Sequence, residues 1–189
     1  MTEYAVDPRA RERFAIGWWG MAMLIATESA LFGLLVATYF YLRFKNAHWP
    51  PPGTPEPKVV VPLVLLGVLM LTAFPVWRAA VSATPRRWLV LALFVQAGYF
   101  AMEVHQYRDD LHHFTPQQHA YGSIYYTLLG ADHGHVALGL LFDVWILWKL
   151  LFGMTEFRRK ALRAIAFYWY AVIVLTIAVT LTVTSPAFA

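Results

Sequence analysis

The run from Ile16 to Leu42, IGWWGMAMLIATESALFGLLVATYFYL, carries one charged side chain, Glu28, close to its middle. The hydrocarbon core of a bilayer is about 30 Å thick and needs roughly 20 predominantly apolar residues in a helix. The run is long enough to cross it, and Glu28 then sits near the midplane. A carboxylate at that depth is costly unless it is protonated, paired or hydrated, so it faces a bundle interior or a partner rather than lipid. Position alone leaves two readings open: a functional group, or a protonated carboxyl that hydrogen-bonds a neighbouring helix.

Composition agrees with a membrane chain. Of the 189 residues 59% are apolar, 16% aromatic and 14% charged, against a usual charged share of about 25%. A disordered chain is excluded. The net charge of +4 would suggest nucleic acid in a soluble protein, but the Lys and Arg residues fall in short clusters between apolar runs, as orienting charges do. There is no cysteine, which excludes disulfides, thiolate metal sites and cysteine nucleophiles. Arg9, Arg11 and Arg13 precede the first run like the basic end of a signal peptide, yet that run is too long for a signal core. It is read as a retained first span after a polar tail, 1–13, with a single domain over 14–189.

Five spans are expected. The first opens with Trp18 and Trp19 and closes with Tyr39 and Tyr41, an aromatic belt at each interface. Ala22, Ala26, Ala30, Gly33 and Ala37 form a small-residue stripe suited to close helix contact; Glu28 lies off it, so this helix should touch partners on more than one face. The loop from Arg43 to Lys58 holds WPPPGTPEP, a stiff extended connector. The second span covers about Val59–Val81, with Pro75 expected to kink or end it. The third covers about Trp88–Gln106; its polar end, with Glu103 and Gln106 three apart on one face, is expected at the membrane surface. The hydrophilic loop Arg108–Ala120 follows. The fourth span, about Tyr121–Phe152, carries Asp132, His133, His135 and Asp143, which must point inward or into a wet crevice. His135, Gly139 and Asp143 at four-residue steps, and Asp132 three before His135, are assigned one face. A basic loop, Gly153–Arg163, leads to the last span, Ala164–Thr184, whose Thr176, Thr180 and Thr184 are read as backbone-bonding threonines.

Five spans place alternate loops on one side. The N-terminal tail, the Arg78–Arg87 loop and the Lys149–Arg163 region hold eleven of the fifteen Lys and Arg residues, so that side is cytoplasmic and the C-terminus lies outside. The expected fold is therefore an all-α integral membrane bundle with a cytoplasmic N-terminus.

Three chemistries compete. Glu28 with the fourth-span Asp and His residues resembles the parts of a proton path or small transporter, but no inverted repeat or matched pair of broken helices accompanies them. Haem between helices would need an imidazole opposite His135 at similar depth; His133 and His135 are the deep ones, and they leave one helix on different sides. In the outer loop Asp109, Asp110, His112, His113 and His119 follow no metal-ligand spacing, and no metal is expected. The third reading is an accessory subunit that packs on a larger membrane enzyme and holds lipid.

The order of motifs resembles subunit III of the haem–copper respiratory oxidases, in its five-helix bacterial form, over nearly the whole chain from Trp19. WGMAMLIATESALFGLLVATYF is similar to the family's Gly-Met-x-x-Phe-Ile-x-Ser-Glu helix and places its buried acid at Glu28. Trp49, Pro50, Pro51 and Gly53 resemble the Trp-Pro-Pro-x-Gly connector. Tyr121, Gly122, Ser123, His135, Val136 and Gly139 match the Tyr-Gly-Ser…His-Gly-x-His-Val-x-x-Gly segment, and Tyr168, Trp169 and Tyr170 match the opening of the final helix. Three departures imply a rewired network around Glu28. Asp132 stands at the family's first His, Glu103-x-x-Gln106-Tyr107 exchanges acid and amide, and Tyr170 replaces a His. Asp143 matches no family motif.

The resemblance implies a non-redox chain without catalysis of its own, in a bacterial inner membrane, packed on subunit I of an oxidase with subunit II. Haem and copper would belong to those partners, and no cofactor to this chain beyond bound phospholipid. It implies support of proton uptake, which Glu28, Glu103, Asp132, His133, His135 and Asp143 would provide, and membership of a larger respiratory supercomplex in some cases. Lipid contacts are expected at Trp18, Trp19 and Trp169, and at Arg78, Arg86, Arg87, Arg158 and Arg159, which serve equally as topology signals. A quinol oxidase or a nitric oxide reductase could own the same subunit.

Overall fold

The computed structural model describes residues 8–188, excluding the side chains of 8–16. Among these residues the regular structure is helical throughout: α1 (Pro8–Lys45), α2 (Val60–Leu71), α3 (Ala73–Val81), α4 (Pro85–His113), α5 (Ala120–Leu150) and α6 (Glu156–Thr184), closed by a short 3-10 turn, Ser185–Phe188. Four stretches are long and apolar enough to cross a membrane: Gly17–Lys45, Val60–Val81, Pro85–His113 and Glu156–Phe188. The fifth helix, α5, has 31 residues, about 46 Å of helix. It trades hydropathy for the acids and imidazoles it carries, and packs on α1, α4 and α6. The molecule is an α-helical membrane bundle.

Several boundaries move. The expected tail 1–13 is shorter, because α1 begins at Pro8; the remainder of the tail lies outside the described residues, as do the side chains of Arg9, Arg11 and Arg13. Proline at the first turn of α4 and the caps of α5 and α6 explain the others. Pro85 opens α4, where a missing N–H costs nothing, and the helix continues to His113, through half of the expected outer loop. The His119 ring accepts from Gly122 N at 2.8 Å and starts α5; a Cβ at Gly122 would lie 2.6 Å from Thr115 O, so glycine is required there. Thr155 Oγ1 accepts from Arg158 N at 3.2 Å and starts α6 eight residues before the expected Ala164.

The second span breaks upstream of its proline. Pro75 has no N–H for the Leu71 carbonyl, and its ring crowds that carbonyl. The chain therefore interrupts at Thr72, whose N–H turns back to Leu69 O at 3.0 Å and whose hydroxyl donates to the same oxygen at 2.6 Å. The helix then resumes as α3, so Pro75 sits in a first turn instead of ending the span.

Contacts between loops fix which helix ends share a side. Arg86 of α4 donates to Leu150 O at the end of α5, and Arg159 of α6 donates to Ser82 O at 3.4 Å after α3. At the opposite end Arg43 donates to Ser185 Oγ at 2.8 Å. There the proline loop is clasped to α4 by Lys58 with Asp109 and Asp110, and to the start of α5 by Thr54 with His119 Nε2 at 2.9 Å. The Asp109 carboxylate beside Lys58 holds its ammonium above the usual range. Trp49 of this loop packs edge-on to Tyr39 and Tyr121.

The core divides into two apolar layers. One, toward the arginine-rich end, includes Leu65, Leu69, Ala79, Leu89, Val136, Ile146, Leu150, Leu162, Trp169 and Val172. The other, toward the proline loop, includes Phe32, Tyr39, Phe114, Tyr121, Tyr126, Leu128, Val179 and Val183. Along α5 the layers end at Leu128 and Val136, and Asp132 falls between them. Along α6 Thr176 occupies the same position. The apolar core is therefore split by a polar tier.

Candidate functional site

The tier is built by α5, which projects ionisable groups toward three neighbours. Toward α1, His135 Nε2 lies 3.1 Å from Glu28 Oε2. Toward α4, His133 Nε2 lies 3.6 Å from Glu103 Oε2. Toward α6, Asp132 Oδ1 accepts the Thr176 hydroxyl at 2.7 Å. Both imidazoles are anchored to their own helix, His135 Nδ1 to Ala131 O at 2.7 Å and His133 Nδ1 to Leu129 O. Tyr168 of α6 donates to His135 O at 2.9 Å, and the Phe32 ring meets the His135 ring edge-on at 5.2 Å. The Tyr107 ring lies 5.4 Å from that of His133.

Five of the six expected network residues thus meet in one tier: Glu28, Glu103, Asp132, His133 and His135. Two expectations within it are corrected. Glu103 is not at a solvated helix end. Because α4 runs on to His113, Glu103 lies eighteen residues into it, about 27 Å along the helix, with its side chain 15% exposed and turned to His133. Nor do His135 and Asp143 share a contact face. Four-residue steps drift by about 40° each. The drift separates His135, which meets α1, from Gly139 one step on and Asp143 two steps on, which meet α6 as Asp132 does.

Asp143 forms a second centre, deeper toward the arginine-rich end and fully buried. Trp169 Nε1–H donates to its Oδ2 at 2.9 Å. The Gln96 amide of α4, oriented with nitrogen toward acceptors, donates to the same oxygen at 2.9 Å and to Ala92 O at 3.1 Å. The Trp169 ring packs closely against Gly139, where a Cβ would stand 2.7 Å from Cζ2. One carboxyl so ties α4, α5 and α6. Gln96 had a signal in the sequence, since Gln96, Tyr99 and Glu103 repeat at helical spacing on one face, but only the structure gives it a partner.

The expected lipid-contact residues separate. Trp18 and Trp19 are 40% and 62% exposed, in keeping with an outward position. Trp169 is 0% exposed and is not an interfacial residue. Eight further residues of helix precede the expected span, which puts Trp169 about 20 Å from the start of α6. The arginines hold helix ends. Arg158 donates to Phe152 O and Gly153 O at 2.9 and 2.6 Å, and Arg78 stacks on Trp77 and Trp88. Arg86 and Arg87 line a shallow cavity with Thr84, Leu150 and Met154.

Two other assignments change. Most of the small-residue stripe of α1 is left uncovered by the described residues: Ala26, Ala30, Gly33 and Ala37 are exposed and Ala22 is half-buried, and a Cβ at Gly33 would meet nothing described within 4 Å. The threonines of α6 are of two kinds, because Thr184 bonds Thr180 O at 2.7 Å while Thr176 bonds across to Asp132. Among the described residues no group of three or more His, Asp or Glu side chains is placed to hold a metal ion.

No family model matches the chain. Cytochrome c oxidase subunit 3 of Bacillus subtilis is 30% identical over 135 residues, covering 67% of this chain and 63% of that protein. A probable cytochrome c oxidase subunit 3 of Mycobacterium tuberculosis is 28% identical over 170 residues, 84% of this chain and 82% of that protein. Cytochrome c oxidase subunit 3 of Thermostichus vulcanus is 25% identical over 154 residues, 78% and 75% of the two chains. The match spans just under two thirds of the Bacillus protein's length.

Proposed function

Since the chain belongs to the cytochrome c oxidase subunit 3 family, we propose that it is a non-redox accessory subunit of a haem–copper terminal oxidase in a bacterial plasma membrane. In this reading it packs on subunit I in a complex with subunit II, carries no haem or copper itself, retains phospholipid and sustains proton uptake by its neighbour. The observation that carries the reading is the polar tier. Ionisable groups at mid-depth are costly, and a bundle keeps them where they serve a path or a charge. Here they end at Glu28 on α1, which among the described helices packs on α5 and α6 and leaves most of its small-residue stripe uncovered. A subunit beside a proton entrance acts on it through such fixed charges and limited water.

Purification in mild detergent, with a visible spectrum of what accompanies the chain, tests the association. An a-type haem signal is expected. A b- or o-type signal would move the chain to a quinol oxidase or a nitric oxide reductase. Absence of any haem partner, with proton-coupled solute uptake by the chain alone in liposomes, would replace the reading by a transporter. For the proton-uptake part, the complex carrying Glu28→Gln should begin turnover at a normal rate and lose activity several-fold sooner, with a lower pumping stoichiometry. Unchanged lifetime and stoichiometry would leave Glu28 a structural residue.

A further inference from the structure

We infer that Glu28–His135 and Glu103–His133 each hold one exchangeable proton between carboxylate and imidazole, and that the α1-side pair is the one that exchanges with the surroundings. The inference follows from what each ring nitrogen faces. Nδ1 of His135 lies 2.7 Å from the Ala131 carbonyl, and Nδ1 of His133 points at that of Leu129. A carbonyl oxygen only accepts, so both Nδ1 atoms carry hydrogen. That bond settles the tautomer and leaves Nε2 for the carboxylate.

A neutral ring with Nδ1–H presents a lone pair at Nε2, and an ionised carboxylate presents lone pairs too. Two acceptors do not rest 3.1 Å apart, the separation of His135 Nε2 and Glu28 Oε2, unless a proton lies between them. It sits on the carboxyl beside a neutral ring, or on Nε2 as an imidazolium facing a carboxylate. Either way the pair has zero net charge, the state a low-dielectric bundle favours. At 3.6 Å the Glu103–His133 pair has an ion-pair separation beyond hydrogen-bond distance, and His133 Nε2 has no hydrogen-bond partner among the described residues. There it is the cost of a net charge in the bundle, not the lone-pair count, that assigns the pair one proton.

The surroundings hold the two pairs at one level without bridging them. Asp132, 3% exposed, lies within electrostatic reach of both imidazoles and spends one oxygen on Thr176. Tyr168 faces the first pair from α6, with Glu28 and Asp132 in its field. Tyr99 and Tyr107 face the second from α4. Access differs between the pairs. The Glu28 side chain is 28% exposed on the outermost helix, whereas Glu103 and His133 are 15% and 12% exposed between α4 and α5. Exchange is one proton in and one out at Glu28, with the pair neutral before and after.

This deepens the proton-uptake part of the proposed function and rests on it for its purpose, not for its chemistry. The test uses the full chain in lipid nanodiscs, with nitrogen-15 histidine NMR for the ring protons and carbon-13 glutamate infrared spectroscopy for the carboxyls. Glu28→Gln and Glu103→Gln assign the bands, and His135→Asn and His133→Asn take their place if either fails to fold. Protonated Nδ1 is expected on both rings. On transfer to heavy water the Glu28 signal should shift about tenfold faster than that of Glu103. A neutral Nε2–H ring beside an ionised glutamate would overturn the shared proton. Exchange at Glu103 as fast as at Glu28, or faster, would overturn the assignment of the outer pair. Both results are read on the chain alone, so failure here is distinct from failure to co-purify with an oxidase.

Discussion

Gly139→Leu is expected to prevent assembly of the detergent-solubilised bundle, and Gly139→Ala to destabilise it by about 1–3 kcal/mol, the usual cost of forcing extra carbon into a packed core. A Cβ at this position would stand 2.7 Å from Cζ2 and 3.0 Å from Cε2 and Cη2 of Trp169. Rings yield to such pressure when they can turn. Trp169 cannot turn freely, because it is 0% exposed and its Nε1–H is committed to Asp143. Relief must come from parting α5 and α6, which breaks the Asp132–Thr176 bond as well. Thermal unfolding followed by size-exclusion of the detergent complex measures the loss. Gly33→Leu is the control, since nothing described lies within 4 Å of its added Cβ; the isolated chain should keep its Tm. A Gly139→Leu chain as stable as the parent would show that the Trp169–Gly139 contact does not hold these helices together.

Asp143→Leu is expected to have the next largest effect. Removing the carboxyl strips the acceptor from the Trp169 Nε1–H and from the Gln96 amide, both buried. A buried donor left without a partner costs about 1–3 kcal/mol, although individual interhelical bonds in membranes average nearer about 0.6 kcal/mol. The loss should therefore be about 1–3 kcal/mol in total. Asp143→Asn separates hydrogen bonding from charge. Its carbonyl can take the place of Oδ2, while its amide nitrogen takes the place of Oδ1, which has no partner in the parent structure. Less than half of the leucine variant's loss of Tm is expected. Equal stability of the leucine variant and the parent would show that the carboxyl does not clamp the three helices.

The two centres were legible to different degrees. Glu28 declares itself as a lone carboxylate in a long apolar run, and Asp132 and Asp143 as acids too deep to face lipid. That His133 and His135 leave α5 on different sides also follows from a spacing of two. Their partners do not follow, because pairing depends on how far α1 and α4 slide and rotate against α5. Hydropathy windows are blind to both. Glu103 illustrates this: the apolar run ends near it, so it reads as interfacial, whereas the helix continues for ten more residues to His113 and carries Glu103 into the bundle. Trp169 fails in the same way at the other end of α6.

Sequence alone determined that the chain is a bundle of long apolar helices, which loops lie at the same end, and that acids must be turned inward. Those conclusions follow from local periodicity, helix length and the cost of charge in hydrocarbon. Tertiary structure alone decided which side chains meet: Glu28 with His135, Glu103 with His133, Asp132 with Thr176, and Asp143 with Trp169 and Gln96. It also decided that most of the small residues of α1 stay uncovered while Gly139 is filled by a ring. The reason is that an interhelical contact is set by the depth and rotation of two helices at once, and no single stretch of chain contains both.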